Sequence, residues 1–336
     1  MRLISDLDDP SRPMTVPQRP DPACPACRGS SLSALEKIDL AEQHRSYSLD
    51  PAIRTQLTEA AALPGDAYTM RRCDTCGLEF ADPFHAPTET WYGLVYGALE
   101  LYPSVRWEFQ HLLTRLSARD ALGEIGCGDG EFLALCKDAG VPSFGVDFSR
   151  AAIAAARTAG LDAEVLEIGA TGANVTARHD RNVIVAFQVL EHLADPAALF
   201  HIASAWAAPG ATLWVAIPSN HRPSRYFRER DFLDQPPHHM TRWTERSLNI
   251  IGESHGWRCD RVLYEPTTLS VRLWWLATRH PLYRALQRSG SLKGKIAERL
   301  TRAFTSLLSL PRALATSSAI SGQTMMAQYT LPSAGK

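Results

Sequence analysis

One stretch constrains this chain more than any other. Ala121-Leu-Gly-Glu-Ile-Gly-Cys-Gly-Asp-Gly-Glu-Phe-Leu-Ala-Leu135 reads as a short strand that enters three alternating glycines and leaves as the apolar face of a helix. Gly126, Gly128 and Gly130 permit a turn that L side chains resist and let a ligand come close to the backbone. About twenty residues on, Phe144-Gly-Val-Asp147 reads as a second strand ending in a carboxylate, where the two hydroxyls of a ribose would be held. Strand, glycine turn, helix and strand make a βαβ unit, which predicts an α/β chain with a doubly wound sheet and a nucleoside site at its strand ends. A dinucleotide loop would read G-x-G-x-x-G, with the last glycine under a pyrophosphate. Here that position is Glu131, and Glu124 ahead of the loop repels phosphates while suiting an ammonium group.

Glu124 to Gly130, followed by Val146-Asp147-Phe148-Ser149, resembles the S-adenosylmethionine site of class I methyltransferases, in the branches grouped as methyltransferase domains 23 and 11. The resemblance covers nearly the whole chain from Cys24 onward. It implies a Rossmann-like seven-stranded methyltransferase sheet, with Glu124, Gly126, Cys127, Gly128 and Gly130 at the methionine end of the cofactor. Asp147 would then hold the ribose and Phe148 pack against the adenine. A ligand-free glycine turn and a nicotinamide enzyme are the competing readings. Arg181 to Pro196 reads as a buried strand followed by polar residues, so Gln188, Glu191 and His192 are expected near the cofactor. Its Val-Leu-Glu-His-Leu is similar to a stretch of methyltransferases related to ubiquinone-biosynthesis O-methyltransferases, where an E-x-x-E-H group is associated with a divalent metal. Gln188 stands in place of the first Glu, which argues against metal dependence of that kind. Glu191 and His192 are candidate catalytic residues, His192 as general base, against a role in orienting the cofactor or capping the next helix.

Four of the seven cysteines stand as Cys24-Pro-Ala-Cys27 and Cys73-Asp-Thr-Cys76-Gly77. Two residues between thiolates let both sulfurs face one ion; Pro25 stiffens the first pair and Gly77 suits a tight turn after the second. Four thiolates favour tetrahedral zinc, and a closed set leaves no position for substrate. Cys24, Cys27, Cys73 and Cys76 are therefore predicted to hold a structural Zn2+, in preference to a redox dithiol or unrelated surface thiols. Between the pairs, Glu36 to Leu63 reads as a polar, helix-prone insert. Trp91 to Leu116 reads as helices whose aromatic stripe packs on a core in preference to caging a ligand.

Pro236-Pro-His-His-Met-Thr-Arg-Trp243 is a stiffened loop with two titratable rings. It resembles a segment that lies over the acceptor pocket in a branch of bacterial methyltransferases. His238 or His239 is a candidate general base; the competing reading has one ring shaping the loop through a backbone hydrogen bond and the other facing solvent. Further on, residues 267–316 separate two predicted strands by too much chain for a hairpin and carry nine Lys or Arg against one Glu. Ile296, Leu300, Phe304, Leu307 and Leu308 recur on one helical face. This basic amphipathic insertion is expected to be a lid or packing element first, with peripheral membrane contact or an acidic partner as alternatives.

The predicted organisation is a disordered lead-in over 1–22, a zinc-ribbon-like module over 23–85 and a helical linker or cap over 86–118. The methyltransferase domain follows over 119–266 and 317–332, interrupted by the helical insertion 267–316. No apolar run suits a membrane span, and the acidic, proline-rich start is unlike a secretory signal, which predicts a cytoplasmic protein, peripheral to the inner membrane face if the insertion binds lipid. The expected function is methyl transfer to the oxygen or carbon of a small hydroxylated metabolite or sugar. Modification of RNA or protein, with the zinc module as reader, and a non-catalytic binding scaffold are the alternatives. With 35 Lys+Arg against 36 Asp+Glu and few bases near the cysteines, nucleic acid is disfavoured.

Overall fold

The computed structural model describes residues 22–47, 50–61, 65–98, 106–166, 176–228, 230–283 and 292–332, so nearly all of the expected lead-in lies outside the described residues. The core is a seven-stranded sheet. Its strands are β4 (Leu122–Ile125), β5 (Ser143–Asp147), β6 (Ala163–Val165), β7 (Arg181–Phe187), β8 (Ala207–Pro218), β10 (Arg258–Tyr264) and β11 (Thr324–Thr330), in the spatial order β10-β11-β8-β7-β4-β5-β6. Neighbours from β8 to β6 run parallel, and β11 is antiparallel to both β8 and β10. Val183, Ile184, Val185, Ala186 and Phe187 are all buried, as a strand covered on both faces requires. Helices α5 (Glu131–Asp138), α6 (Arg150–Thr158), α7 (Ala197–Trp206) and α9 (Glu245–Ser254) flank the sheet. The chain leaves β4 toward β5 and β6, then returns to its other side at β7, so the switch point lies between β4 and β7. Ligands of doubly wound sheets bind outside the strand ends at such a point. The expected fold class is the observed one.

A second, four-stranded antiparallel sheet is built from β1 (Leu32–Asp39), β2 (Ala67–Cys73), β3 (Glu79–Asp82) and, at its edge, β9 (Thr241–Arg242). Helices α1 (Leu40–Ser46) and α2 (Pro51–Ala60) connect β1 to β2. The helix-prone insert thus begins later than expected, because Glu36 to Asp39 continue β1 with Ile38 buried opposite Tyr68. Residues α3 (Glu89–Ala98) and α4 (Trp107–Leu113) follow as the expected helices. The short β9 belongs to the histidine loop: Phe80 pairs with Thr241 and Glu79 with Arg242. The N-terminal sheet therefore carries a piece of the loop that sequence assigned to the main domain.

In the insertion, α10 (Leu269–Arg279) packs against α11 (Leu292–Ala315), after the short α8 (Pro223–Tyr226) earlier in the chain. The apolar stripe of α11 does not pack. Leu300, Phe304, Leu307 and Leu308 are 51–67% exposed, while Thr305, Ser309, Ala313 and Thr316 are buried. Small residues let the two helices approach closely, so the contact takes the short side chains and the large apolar ones are turned outward. Ile296 and the bases at 293, 295 and 299 lie outside the described side chains. Among the described residues, none of the insertion lines the main cavity; Trp275, Leu276 and Ala313 pack together, which is the packing side of the expected lid or packing element.

Candidate active site

A cavity of 860 Å³ opens at the carboxyl ends of β4, β5 and β7. That is near the top of the roughly 300–1,000 Å³ range of small-molecule sites, enough for two molecules side by side. The glycine turn forms one wall. The N–H groups of Gly126 and Cys127 both donate to the Val146 carbonyl, at 2.7 and 2.9 Å, which ties the turn to β5. Gly126, at φ 77°, faces Val189 so closely that a Cβ would sit 2.3 Å from its methyl; Gly128, at φ 56°, has nothing within 4 Å and opens to the cavity. Gly130 is the left-handed residue that starts α5.

Asp147 is aimed by the backbone. Its carboxylate accepts from Gly128 N at 2.9 Å and Ser149 N at 2.8 Å, while the Ser149 hydroxyl caps α6 by accepting from Ala152 N. Burial pushes its pKa up, against those two N–H donors. Glu124 is 3% exposed, and burial holds its carboxyl well above the usual range with Arg106 only partly opposing. Its Oε2 has no hydrogen-bond partner among the described residues. A buried carboxylate of this kind fits an incoming ammonium group, which would favour the charged form.

The opposite wall is aromatic. Tyr92 stacks on Tyr96 at 5.9 Å and meets Phe148 edge-on at 5.7 Å and His192 at 5.5 Å. Tyr92 and Tyr96 line the cavity, as does Arg106, which lies 3.5 Å from Glu131. Sequence reading put the aromatics of this segment into a core, which holds for Trp91 and for Tyr92, buried although it borders the cavity, but not for the exposed Tyr96. The four-residue spacing of Tyr92 and Tyr96 was the available signal. Gln188 ends β7 at φ 56°, a strained conformation for a side-chain-bearing residue, and donates to the buried Glu108 at 3.3 Å.

Glu191 corrects an expectation. It is fully buried but does not line the main cavity; it borders a small pocket with Arg222, Asp234 and Arg242. Burial pushes its pKa up to about 8. Its backbone does the visible work, because its carbonyl accepts from Met240 N at 2.7 Å and Thr241 N at 3.2 Å and so holds the histidine loop. His192 does line the cavity. His238 and His239 come to it from the loop, with ring centroids 5.0 and 4.8 Å from His192. Neither loop histidine faces solvent, at 4% and 9% exposure. Burial lowers the pKa of all three, that of His238 to about 3, so the rings are neutral near pH 7. Asp234 sits 3.3 Å from His239 and is held by Arg222 at 2.7 Å and Arg242 at 3.2 Å.

The description "Methyltransferase domain" belongs to the family model that matches residues 105–262. Residues 105–262 make up a methyltransferase domain. Among curated relatives, the ubiquinone biosynthesis O-methyltransferase of Hydrogenovibrio crunogenus is 28% identical over 164 residues, covering 46% of this chain and 67% of that protein. The protein of the same description from Methylococcus capsulatus is 28% identical over 116 residues, 33% of this chain and 48% of its own length. The chain thus spans about two thirds and one half of these two relatives. Solved structures similar to it include S-adenosylmethionine-dependent methyltransferases of Mesorhizobium loti and Archaeoglobus fulgidus. The first has 15% identity, a TM-score of 0.43 and coverage of 66% and 95% of the two chains; the second has 18%, 0.42, 66% and 94%. An orphaned Glu124 oxygen, an N–H-anchored Asp147 and an open Gly128 are a donor set that fits S-adenosylmethionine.

Beside the methyltransferase domain, the four cysteine sulfurs lie within 4.8 Å of one another, with Cys24–Cys76 and Cys27–Cys73 both at 3.5 Å. Four thiolates around one zinc at about 2.3 Å sit about 3.8 Å apart, so the donor set fits a structural zinc ion with little movement. The two knuckles share one geometry: the N–H four residues after the first cysteine donates back to its carbonyl, from Arg28 to Cys24 and from Gly77 to Cys73. Arg28 and Gly77 take positive φ of 61° and 78°. Sequence pointed to Gly77 alone, since nothing in an arginine signals that conformation. The second knuckle also braces the methyltransferase domain, where the Thr244 hydroxyl caps α9 and donates to the Cys76 carbonyl at 2.9 Å.

Proposed function

We propose that the protein methylates an oxygen or carbon of a small hydroxylated acceptor. The observation that supports this best is the single 860 Å³ cavity, which has Glu124, the glycine turn and Asp147 at one end and Tyr92, Tyr96 and His192 at the other. In this reading Glu124 takes the ammonium of the cofactor's amino-acid end, Asp147 accepts from both ribose hydroxyls and Phe148 packs on the adenine, with Cys127 and Gln188 completing that end. Bound there, S-adenosylmethionine supplies an electrophilic sulfonium methyl. The chain's part is alignment: the aromatic wall excludes water and orients the acceptor for in-line attack. A neutral His192 has a lone pair for an acceptor proton, with His239, polarised by Asp234, as its neighbour. Incubation with methyl-labelled S-adenosylmethionine and cell extract tests this. Label is expected in small polar metabolites, and label confined to RNA or protein overturns the proposal.

The outward stripe of α11 supports a further part of this reading, contact with an anionic membrane surface. Among the described residues no helix is long and apolar enough to cross a membrane. Yet Trp274, Leu300, Phe304 and Leu307 are all more than half exposed beside Arg302 and Arg312. Apolar side chains flanked by bases are what such a surface takes up. Vesicles containing phosphatidylglycerol are expected to float the protein and neutral vesicles to leave it behind. The paired change Phe304→Glu and Leu307→Glu is expected to cut binding at least tenfold; equal flotation of this variant would remove the contact.

A further inference from the structure

His192, His238 and His239 each present one ring nitrogen within 4.8 Å of the others. What distinguishes them from a chance cluster is the chemistry of the opposite nitrogens. His192 Nδ1 lies 2.6 Å from the His238 carbonyl, His238 Nδ1 2.9 Å from the Leu233 carbonyl, and His239 Nδ1 3.3 Å from the Asp234 carboxylate. A carbonyl or carboxylate oxygen only accepts, so each Nδ1 carries the proton and each neutral ring keeps its lone pair on Nε2. The Nε2 atoms of His192 and His238 are buried without a hydrogen-bond partner among the described residues. Leaving such atoms unpaired in a closed interior is costly. Three histidines with Nδ1–H on oxygen, two of them with an unpartnered Nε2, is the second-shell arrangement that orients imidazole ligands on a metal.

We propose that His192, His238 and His239 form a second metal centre, a trihistidine site for a divalent ion such as zinc or iron(II). Neutral imidazoles suit these ions, and three protein ligands leave coordination open for another molecule. Bonds of about 2.0–2.1 Å would bring tetrahedral nitrogens to about 3.3 Å apart, a contraction that small ring rotations supply. The donor set is not an E-x-x-E-H group: Gln188 is turned to Glu108, and the Glu191 side chain borders the pocket of Arg222 and Asp234. Because His192 lines the main cavity, the open position faces the acceptor end. The ion's use rests on the methyltransferase reading. With its Nε2 lone pair on the ion, His192 would activate the acceptor through the metal and not as a base: a hydroxyl coordinated there would lose its proton to water more readily, and the oxygen would attack the methyl group.

Metal analysis of the full-length protein tests the site. Two ions per chain are expected, with Cys76→Ser retaining one and His192→Ala or His239→Gln also retaining one. Cobalt(II) added to metal-stripped protein separates the sites: the cysteines produce an intense thiolate charge-transfer band, and the histidines only weaker ligand-field absorption. The second signal is expected to vanish in either histidine variant while the first stays. Two variants guard against misfolding, each checked by S-adenosylhomocysteine binding. Wild-type saturation at one equivalent, or a ligand-field signal unchanged in a folded variant, overturns the site. Methyl transfer that survives loss of the second ion overturns its role in activating the acceptor. A second ion in a protein that binds cofactor but transfers no methyl group upholds the site and overturns only the proposed function.

Discussion

Asp147→Ala is expected to weaken S-adenosylhomocysteine binding about 100-fold while leaving the fold intact. A hydrogen bond to a charged group contributes about 1.5–3 kcal/mol, and loss of two partly compensated bonds to ribose amounts to about 3 kcal/mol, or about two decades in affinity. The side chain is buried but borders the open cavity, so its removal leaves no sealed void, and it also accepts from Gly128 and Ser149. Asp147→Asn is therefore the more conservative companion, expected to lose about tenfold because one carboxylate oxygen becomes a donor. Titration calorimetry measures both. Unchanged affinity in Asp147→Ala would place the nucleoside elsewhere. The unaltered Glu124 should still hold the amino-acid end, so methionine-like fragments are expected to bind the variant as they bind the parent.

Cys76→Ser is expected to lower zinc affinity at least 100-fold and transfer activity by a factor of ten to a hundred, with cofactor affinity within about threefold of the parent. The separation follows from where the module touches the domain. Its sheet pairs β3 with β9, the Thr244 hydroxyl donates to the Cys76 carbonyl, and Glu79 reaches Arg242 at 3.1 Å and Arg225 at 2.7 Å. The β3–β9 pairing and the Glu79–Arg242 pair hold the loop that carries His238 and His239, and the Thr244 contact anchors the chain directly after it. None reaches the glycine turn. A misplacement of about 1 Å at the acceptor end is enough for the expected loss, whereas the cofactor end rests on β4 and β5. Metal analysis, calorimetry with S-adenosylhomocysteine and a turnover assay read the three quantities. Zinc lost with turnover unchanged would show that the module does not brace the site.

Local chemistry was legible in this chain wherever function demands an unusual residue type at a short spacing. Alternating glycines need positive φ, paired cysteines need a two-residue gap, and a carboxylate at a strand end needs the preceding strand; all three lie within one element of each other. The α11 stripe shows the limit of periodicity, which locates an apolar face without saying which side of the helix meets the protein. Arg28 shows another, since a knuckle geometry imposed by two cysteines overrides what the residue prefers. Tyr96 reads as core because a cavity wall and a core draw on the same side chains.

Sequence alone determined the doubly wound sheet, the glycine-turn end of the cavity and the two cysteine pairs, because each is written in residues close together in the chain. Tertiary structure decided the histidine end. It turned Glu191 away from the cavity, placed His192 from β7's end beside His238 and His239 from a loop 46 residues further on, and secured that loop with a strand from the N-terminal sheet. A pairing of β3 with β9 depends on contacts between residues such as Glu79 and Arg242, 163 apart in the chain, and no local pattern carries that information.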